Sequence, residues 1–206
     1  MLTLAYKDVA YDLNIVCSLS PDAGFFHTNP LGKIPAYQDE RITLSDSTVI
    51  CEYLNERYPM PELLPFGAAQ RARTRWLEEY ADSVLADVCS HQITHQKLIK
   101  PLLTGQDPDL DTIEKAVTEQ LPLLLDYLEI QIANKQYFVA ETLSMADLSI
   151  SSQLMCLRAV GIVVDISRWP RIGRYMSRLC SGTIYKNQID SEDQYLQQQL
   201  KQQGAA

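Results

Sequence analysis

Strand-like alternation is confined to roughly the first 65 of this chain's 206 residues, and everything beyond runs at helical period. That asymmetry constrains the fold more than any other feature, because period 2 and period 3.6 demand different partners for their apolar faces. In the first part, Tyr11-Asp12-Leu13-Asn14-Ile15-Val16-Cys17 alternates polar and apolar residues as a half-buried strand does. Ile34-Pro35-Ala36-Tyr37 and Ile42-Thr43-Leu44 read as two short strands of a hairpin around Gln38-Asp39-Glu40-Arg41. From Asp46 the apolar positions Val49, Ile50, Tyr53 and Leu54 recur at helical spacing until Pro59-Met60-Pro61 stops them.

The second part is expected to be all helix. Trp76, Tyr80, Val84 and Val88 step every four residues along a helix from Ala69 to Lys100, with Trp76 in the core or lining a pocket for an apolar ligand. Asp111 and Glu114 resemble a capping box for a helix reaching Ala133, with a kink at Pro122. Ser144 and Asp147 open another helix, Pro170 the next, and the Gln-rich end reads as a frayed helical tail. The proline- and glycine-rich stretch between the two parts sets the expected domains at 1–62 and 69–206, with a linker at 63–68.

Composition excludes several classes. A net charge of -8 argues against phosphate-backbone binding, so no nucleic acid is expected. No apolar run reaches the ~20 residues of a membrane span, and the N-terminus lacks a signal-peptide layout, so a cytoplasmic protein off the membrane is expected. Five widely spaced cysteines without a CxxC pair read as reduced core thiols. His91 and His95 share a helix face but lack an evident third ligand, and no metal site is expected.

The chemistry concentrates in Asn29-Pro30-Leu31-Gly32-Lys33-Ile34-Pro35 and in Leu44-Ser45-Asp46-Ser47. A proline at a strand entrance cannot donate to the ladder, and a cis bond there would turn the main chain of Ile34 outward for another peptide to pair with. Asp46 and Ser47 stand where a helix begins, with N–H groups and a hydroxyl suited to a carboxylate and an acid suited to an ammonium. Each motif alone is satisfied by a cap or an edge strand. In this order and spacing they describe a cradle for a small zwitterionic peptide.

Together with the Pro-rich linker, the Trp-bearing first helix and Ser144-Met145-Ala146-Asp147, these motifs resemble the glutathione S-transferase superfamily, bacterial in type, over nearly the whole chain. The resemblance implies an α+β/α architecture, with a thioredoxin-like N-terminal domain and an all-helical C-terminal domain, and usually a homodimer. It implies that Ile34, ahead of Pro35, pairs with the cysteinyl backbone of glutathione. Ser47 would hold the γ-glutamyl carboxylate and Asp46 the ammonium, whereas Lys33 either reaches a ligand carboxylate or flanks the strand as an exposed charge. It also implies that the glutathione thiol is conjugated to a hydrophobic small-molecule electrophile. The chain departs from the pattern before its capping motif, where Val139-Ala140-Glu141-Thr142-Leu143 has no glycine, and at its front. There Met1 to Lys7 matches the last turns of the family's first helix, or else serves as a strand. In the first alignment about 15 residues, a strand and a few helical turns, have no counterpart. No catalytic Ser, Tyr or Cys is identifiable, so weak or absent turnover is expected. The alternative is a non-catalytic protein of the same fold used for protein contact, resembling the stringent starvation protein A type.

Overall fold

The computed structural model describes residues 1–16, 25–26, 29–30, 32 and 34–204, with side chains of the last helix described through Lys201. The chain divides into two compact units, one of Met1 and Thr3–Leu63 and the other of Leu2 and Leu64–Ala206.

Helix α1 spans Leu2–Tyr6, all but Leu2 in the first unit. Met1–Lys7 is thus helical at its core, as the first of the two alignments expects. Strands β1 (Ala36–Gln38) and β2 (Thr43–Ser45) pair antiparallel, with Ala36 opposite Ser45, Tyr37 opposite Leu44 and Gln38 opposite Thr43. Helix α2 (Ser47–Arg57) follows at once and buries Ile50 and Leu54. Lys7, itself buried, reaches the far end of α2, where its Nζ donates to Asn55 Oδ1 at 3.0 Å, Tyr58 O at 2.7 Å and Pro61 O at 2.8 Å. Asn55 Oδ1 also accepts from the Leu63 N–H at 2.9 Å, and Leu63 is fully buried.

The strand expected at Tyr11–Cys17 is not formed over Tyr11–Val16; Cys17 lies outside the described residues. Alternation reports amphipathicity, but a strand exists only when its N–H and C=O groups find a ladder. No described strand pairs with this segment, and Tyr11, Leu13 and Ile15 are all exposed, so the alternation matches no buried face.

The second unit is helical throughout. Helix α3 (Ala68–Tyr80) continues through wide, π-helical turns at Ala81–Leu85 and Asp87–Ile99 into α4 (Lys100–Thr104), which Gly105 ends in the left-handed conformation at φ 67°. The buried stripe is Leu77, Ala81, Leu85, Cys89 and Ile93, not the expected line through Trp76 and Val84, both of which are about half exposed. Both lines step every four residues and lie one position apart, so the step alone does not say which of them faces the core. Helix α5 (Leu110–Lys115) starts two residues earlier than expected: Asp109, not Asp111, caps it, accepting from the Thr112 N–H at 3.1 Å and hydroxyl at 2.8 Å. The distortion expected at Pro122 is a π-helical segment at Ala116–Gln120, directly before α6 (Leu121–Ile132). Proline has no N–H and its ring crowds the carbonyl four residues back, and a wider turn accommodates both.

Helix α7 (Met145–Ala159) is the core of this unit, with Ala146, Ile150 and Leu157 fully buried and packed against α3 and the wide-turn segments. Asp147 anchors its start, accepting from the Ser144 N–H (2.9 Å), the Ser144 hydroxyl (2.7 Å), the Phe138 N–H (3.0 Å) and the Tyr175 hydroxyl (3.2 Å). Helix α8 (Pro170–Ser181) carries Pro170 in its first turn. Its free N–H groups at Arg171 and Ile172 are capped from α6 by the Glu129 carboxylate at 2.9–3.1 Å, while Asp126 accepts from the Trp169 indole at 2.7 Å. Helix α9 (Thr183–Gly204) holds the Gln-rich end.

Candidate functional site

Hairpin register builds the site. Because Ala36 faces Ser45, the residues before β1 and those after β2 lie at the same end of the hairpin. Ile34-Pro35 and Asp46-Ser47 are thereby brought together, although ten residues lie between Pro35 and Asp46. The Ile34–Pro35 bond is cis, as the sequence suggests. Ile34 is 57 % exposed, and its main chain makes no hydrogen bond to any described residue. Lys33, just before it, lies outside the described residues. Gly32 sits at φ 64° and closes a turn through its N–H to Asn29 O at 3.0 Å; a Cβ there would come within 3.0 Å of the Phe26 ring.

At the other half of the site Asp46 is exposed and adopts φ 83°, ψ 125°, a region non-glycine residues rarely occupy. That backbone lets its own carboxylate cap α2, with Oδ1 accepting from Thr48 N–H at 3.0 Å and Val49 N–H at 3.1 Å. Oδ2 has no hydrogen bond or ion pair to any described residue. Ser47 occupies the first helical position, half-buried, where the α2 dipole favours negative charge. A single carboxylate oxygen thus caps the helix, and the same residue stands at the hairpin end beside Ile34-Pro35.

Sequence reasoning missed what holds this hairpin on α2. Asp39 Oδ2 accepts from the Tyr53 hydroxyl at 2.7 Å and the Tyr37 hydroxyl at 3.1 Å, and Oδ1 accepts from the Arg41 and Ile42 N–H groups at 2.8 and 2.9 Å. These bonds, that from Tyr53 first, hold the Asp39 carboxyl down at about 2, against an ordinary 3.8, while burial and the same acid push Tyr37 up to about 12. An acid held below its unfolded value stabilises the folded state above pH 3.8, and that contribution fades as pH falls toward 2. Asp39→Asn is accordingly expected to flatten the stability-against-pH curve of the hairpin over this window. Amide exchange at β1 and β2 between pH 4 and pH 2 reads it directly, and an unchanged slope would count against the assignment. The signal available in sequence was the acid beside Tyr37, but Tyr53 lies 14 residues away.

Other candidates separate from the site. Tyr6 ends α1 and Tyr11 is exposed in irregular chain. Ser18 and Ser20 lie outside the described residues. His91 pairs with Asp87 at 3.9 Å on an exposed face, and no group of three potential metal ligands occurs among the described residues. Trp76 is 54 % exposed and donates from its indole to the Tyr127 hydroxyl at 3.2 Å, so the expected core role is not the one it takes.

The glutathione S-transferase N-terminal domain matches residues 1–57, and the glutathione S-transferase C-terminal domain matches residues 89–182. "Glutathione S-transferase 1" of Zea mays is 33 % identical over 73 % of this chain and 69 % of its own length. The chain belongs to the glutathione S-transferase family. Within that family it is similar to proteins of different names. A rat "Maleylacetoacetate isomerase" is 29 % identical over 83 % of this chain and 76 % of its own. A "Stringent starvation protein A homolog" of Histophilus somni is 28 % identical over 86 % of this chain and 77 % of its own. Among solved structures, a glutathione S-transferase from Rhodospirillum rubrum F11 superposes with a TM-score of 0.83 at 26 % identity, covering 89 % of this chain and 82 % of the other. A thioredoxin-like first domain and a helical second domain follow from membership. No helix among the described residues is long and apolar enough to cross a membrane.

Proposed function

We propose that this glutathione S-transferase family member binds glutathione at the open end of its hairpin and transfers the thiol to an apolar electrophile, as a cytoplasmic homodimer. One observation carries the reading: an exposed Ile34, whose main chain bonds no described residue, at the same hairpin end as the Asp46-Ser47 helix start. The Ile34 N–H and C=O pair with the cysteinyl backbone of the tripeptide, and Pro35 fixes their outward direction. Ser47, at the head of α2, takes the γ-glutamyl carboxylate, and Asp46 Oδ2 takes the ammonium. Lys33 takes a second ligand carboxylate. Holding the thiol in place supplies positioning, and with no thiol-activating side chain assigned, turnover is slow.

The expected result is retention on immobilised glutathione and elution by free glutathione, with slow conjugation of a standard aryl halide. Asp46→Asn separates the two uses of this acid, since asparagine still caps α2 but carries no charge for the ammonium. It should weaken retention about tenfold, the weight of a charge-assisted hydrogen bond, with the thermal midpoint unchanged. An Asp46→Asn protein that elutes like the wild type would remove Asp46 from the site. The relative named stringent starvation protein A homolog favours a second reading, a non-catalytic contact protein. A folded protein that fails to bind glutathione at all supports that one instead.

A further inference from the structure

A second concave site lies in the helical unit, at the turn after α6 and along α8. Its volume is about 310 Å³, and Lys135, Arg171, Arg174 and Arg178 line it together with Asn134 and Tyr175. Four of the chain's 18 basic residues thus converge on one pocket of a protein whose net charge is -8. Arg171, Arg174 and Arg178 stand three and four residues apart, so they project from one face of α8. Three of the four cations are held by protein contacts. Lys135 Nζ donates to Phe138 O at 3.2 Å, and Arg178 donates to Gln136 O with its guanidinium 4.7 Å from the centre of the Tyr137 ring. The Arg171 guanidinium lies 3.8 Å from Glu129, whose carboxylate is already occupied with the N–H groups that open α8. Arg174 has no hydrogen bond or ion pair to any described residue.

We propose that this pocket binds the diphosphate group of a small molecule. Two linked phosphates concentrate about three negative charges in a volume suited to the small end of ligand pockets. Arginine forks match phosphate oxygens two at a time, and guanidinium groups already fixed by neighbouring contacts lose little freedom on binding. Four cations line the pocket with one carboxylate beside Arg171, and Arg174 is the cation with no hydrogen bond or ion pair among the described residues. This site is separate from the glutathione cradle and stands or falls independently of it.

Titration calorimetry on the full chain at low salt, with inorganic pyrophosphate as the probe, tests the proposal. Saturable binding of one pyrophosphate per chain is expected, weakening as salt is raised. Arg174→Glu should lose at least tenfold in affinity, by removing charge-assisted bonds and adding repulsion, with the fold intact because the native side chain bonds no described residue. Arg174→Lys should keep most of the affinity. Repeating the titration with ADP distinguishes the sources: equal affinity means the diphosphate alone is read, and tighter ADP means the nucleoside is read as well. No saturable binding, or an Arg174→Glu protein that binds like the wild type, would overturn the proposal. Lys135 and Arg178 would then serve only to satisfy the carbonyls of Phe138 and Gln136.

Discussion

Asp147→Ala is expected to unfold the helical unit at temperatures where the wild type is stable, at a cost of about 3–5 kcal/mol. The residue is fully buried, and its carboxylate accepts four hydrogen bonds, two of them from main-chain N–H groups of Phe138 and Ser144. Alanine removes the acceptor and leaves those two donors buried with nothing to bond, since neither can turn elsewhere without breaking the start of α7. Every fully buried residue along α7, Ile150 and Leu157 among them, depends on that start being fixed. For a chain of this size the loss corresponds to a fall of about 10 °C in thermal midpoint. Asp147→Asn keeps one carbonyl oxygen but turns an amide toward donors, and should fall between the two. Ser144→Ala deletes one bond and should cost ~1 kcal/mol. Thermal denaturation of the three variants gives the order, and an Asp147→Ala midpoint within a degree of wild type would refute the account.

That capping motif was legible because its parts are three residues apart. The same holds for the cis proline and the helix start at Asp46, whose local chemistry is readable and whose order suggested a common ligand. What sequence could not supply was the exact register of the hairpin, or the left-handed backbone with which Asp46 caps α2 through one carboxylate oxygen. The failures share a cause as well. Tyr11 to Val16 has the period of a strand but no ladder, and period says nothing about partners. The four-residue step from Trp76 missed most of the core because the line one position on, Leu77 to Ile93, has the same period and is the one that is buried. Contacts between distant segments were invisible throughout: Glu129 capping α8 from 42 residues away, and Tyr53 bonding Asp39. The cations of α8 were likewise unremarkable until the fold set them beside Lys135 in one cavity.

Lys7→Met is the corresponding prediction for the first unit, and its effect reaches the candidate site. The Lys7 ammonium has three donors and three acceptors, Asn55 Oδ1 and the carbonyls of Tyr58 and Pro61, at 2.7–3.0 Å. Burial lowers its pKa, opposed by the nearby Glu62 carboxylate, yet the three bonds use the charged form fully. Two of the acceptors are carbonyls at or beyond the C-terminus of α2, where a cation also meets the negative end of the helix. Methionine keeps much of the volume and none of the donors, so it strands those acceptors at a cost of about 2–4 kcal/mol. A unit of some 60 residues has little stability to lose, because small domains bury a smaller fraction of their surface. Fraying of α2 from its C-terminal end is therefore expected, seen as faster amide exchange from Tyr53 to Tyr58. Because Asp46 and Ser47 open that same helix, glutathione retention should weaken as well, although Lys7 touches neither. Lys7→Arg restores the charge but presents a planar fork where a point cation meets three converging oxygens, and should recover part of the loss. Unchanged exchange in α2 of the Lys7→Met protein would show that the three bonds contribute no net stability.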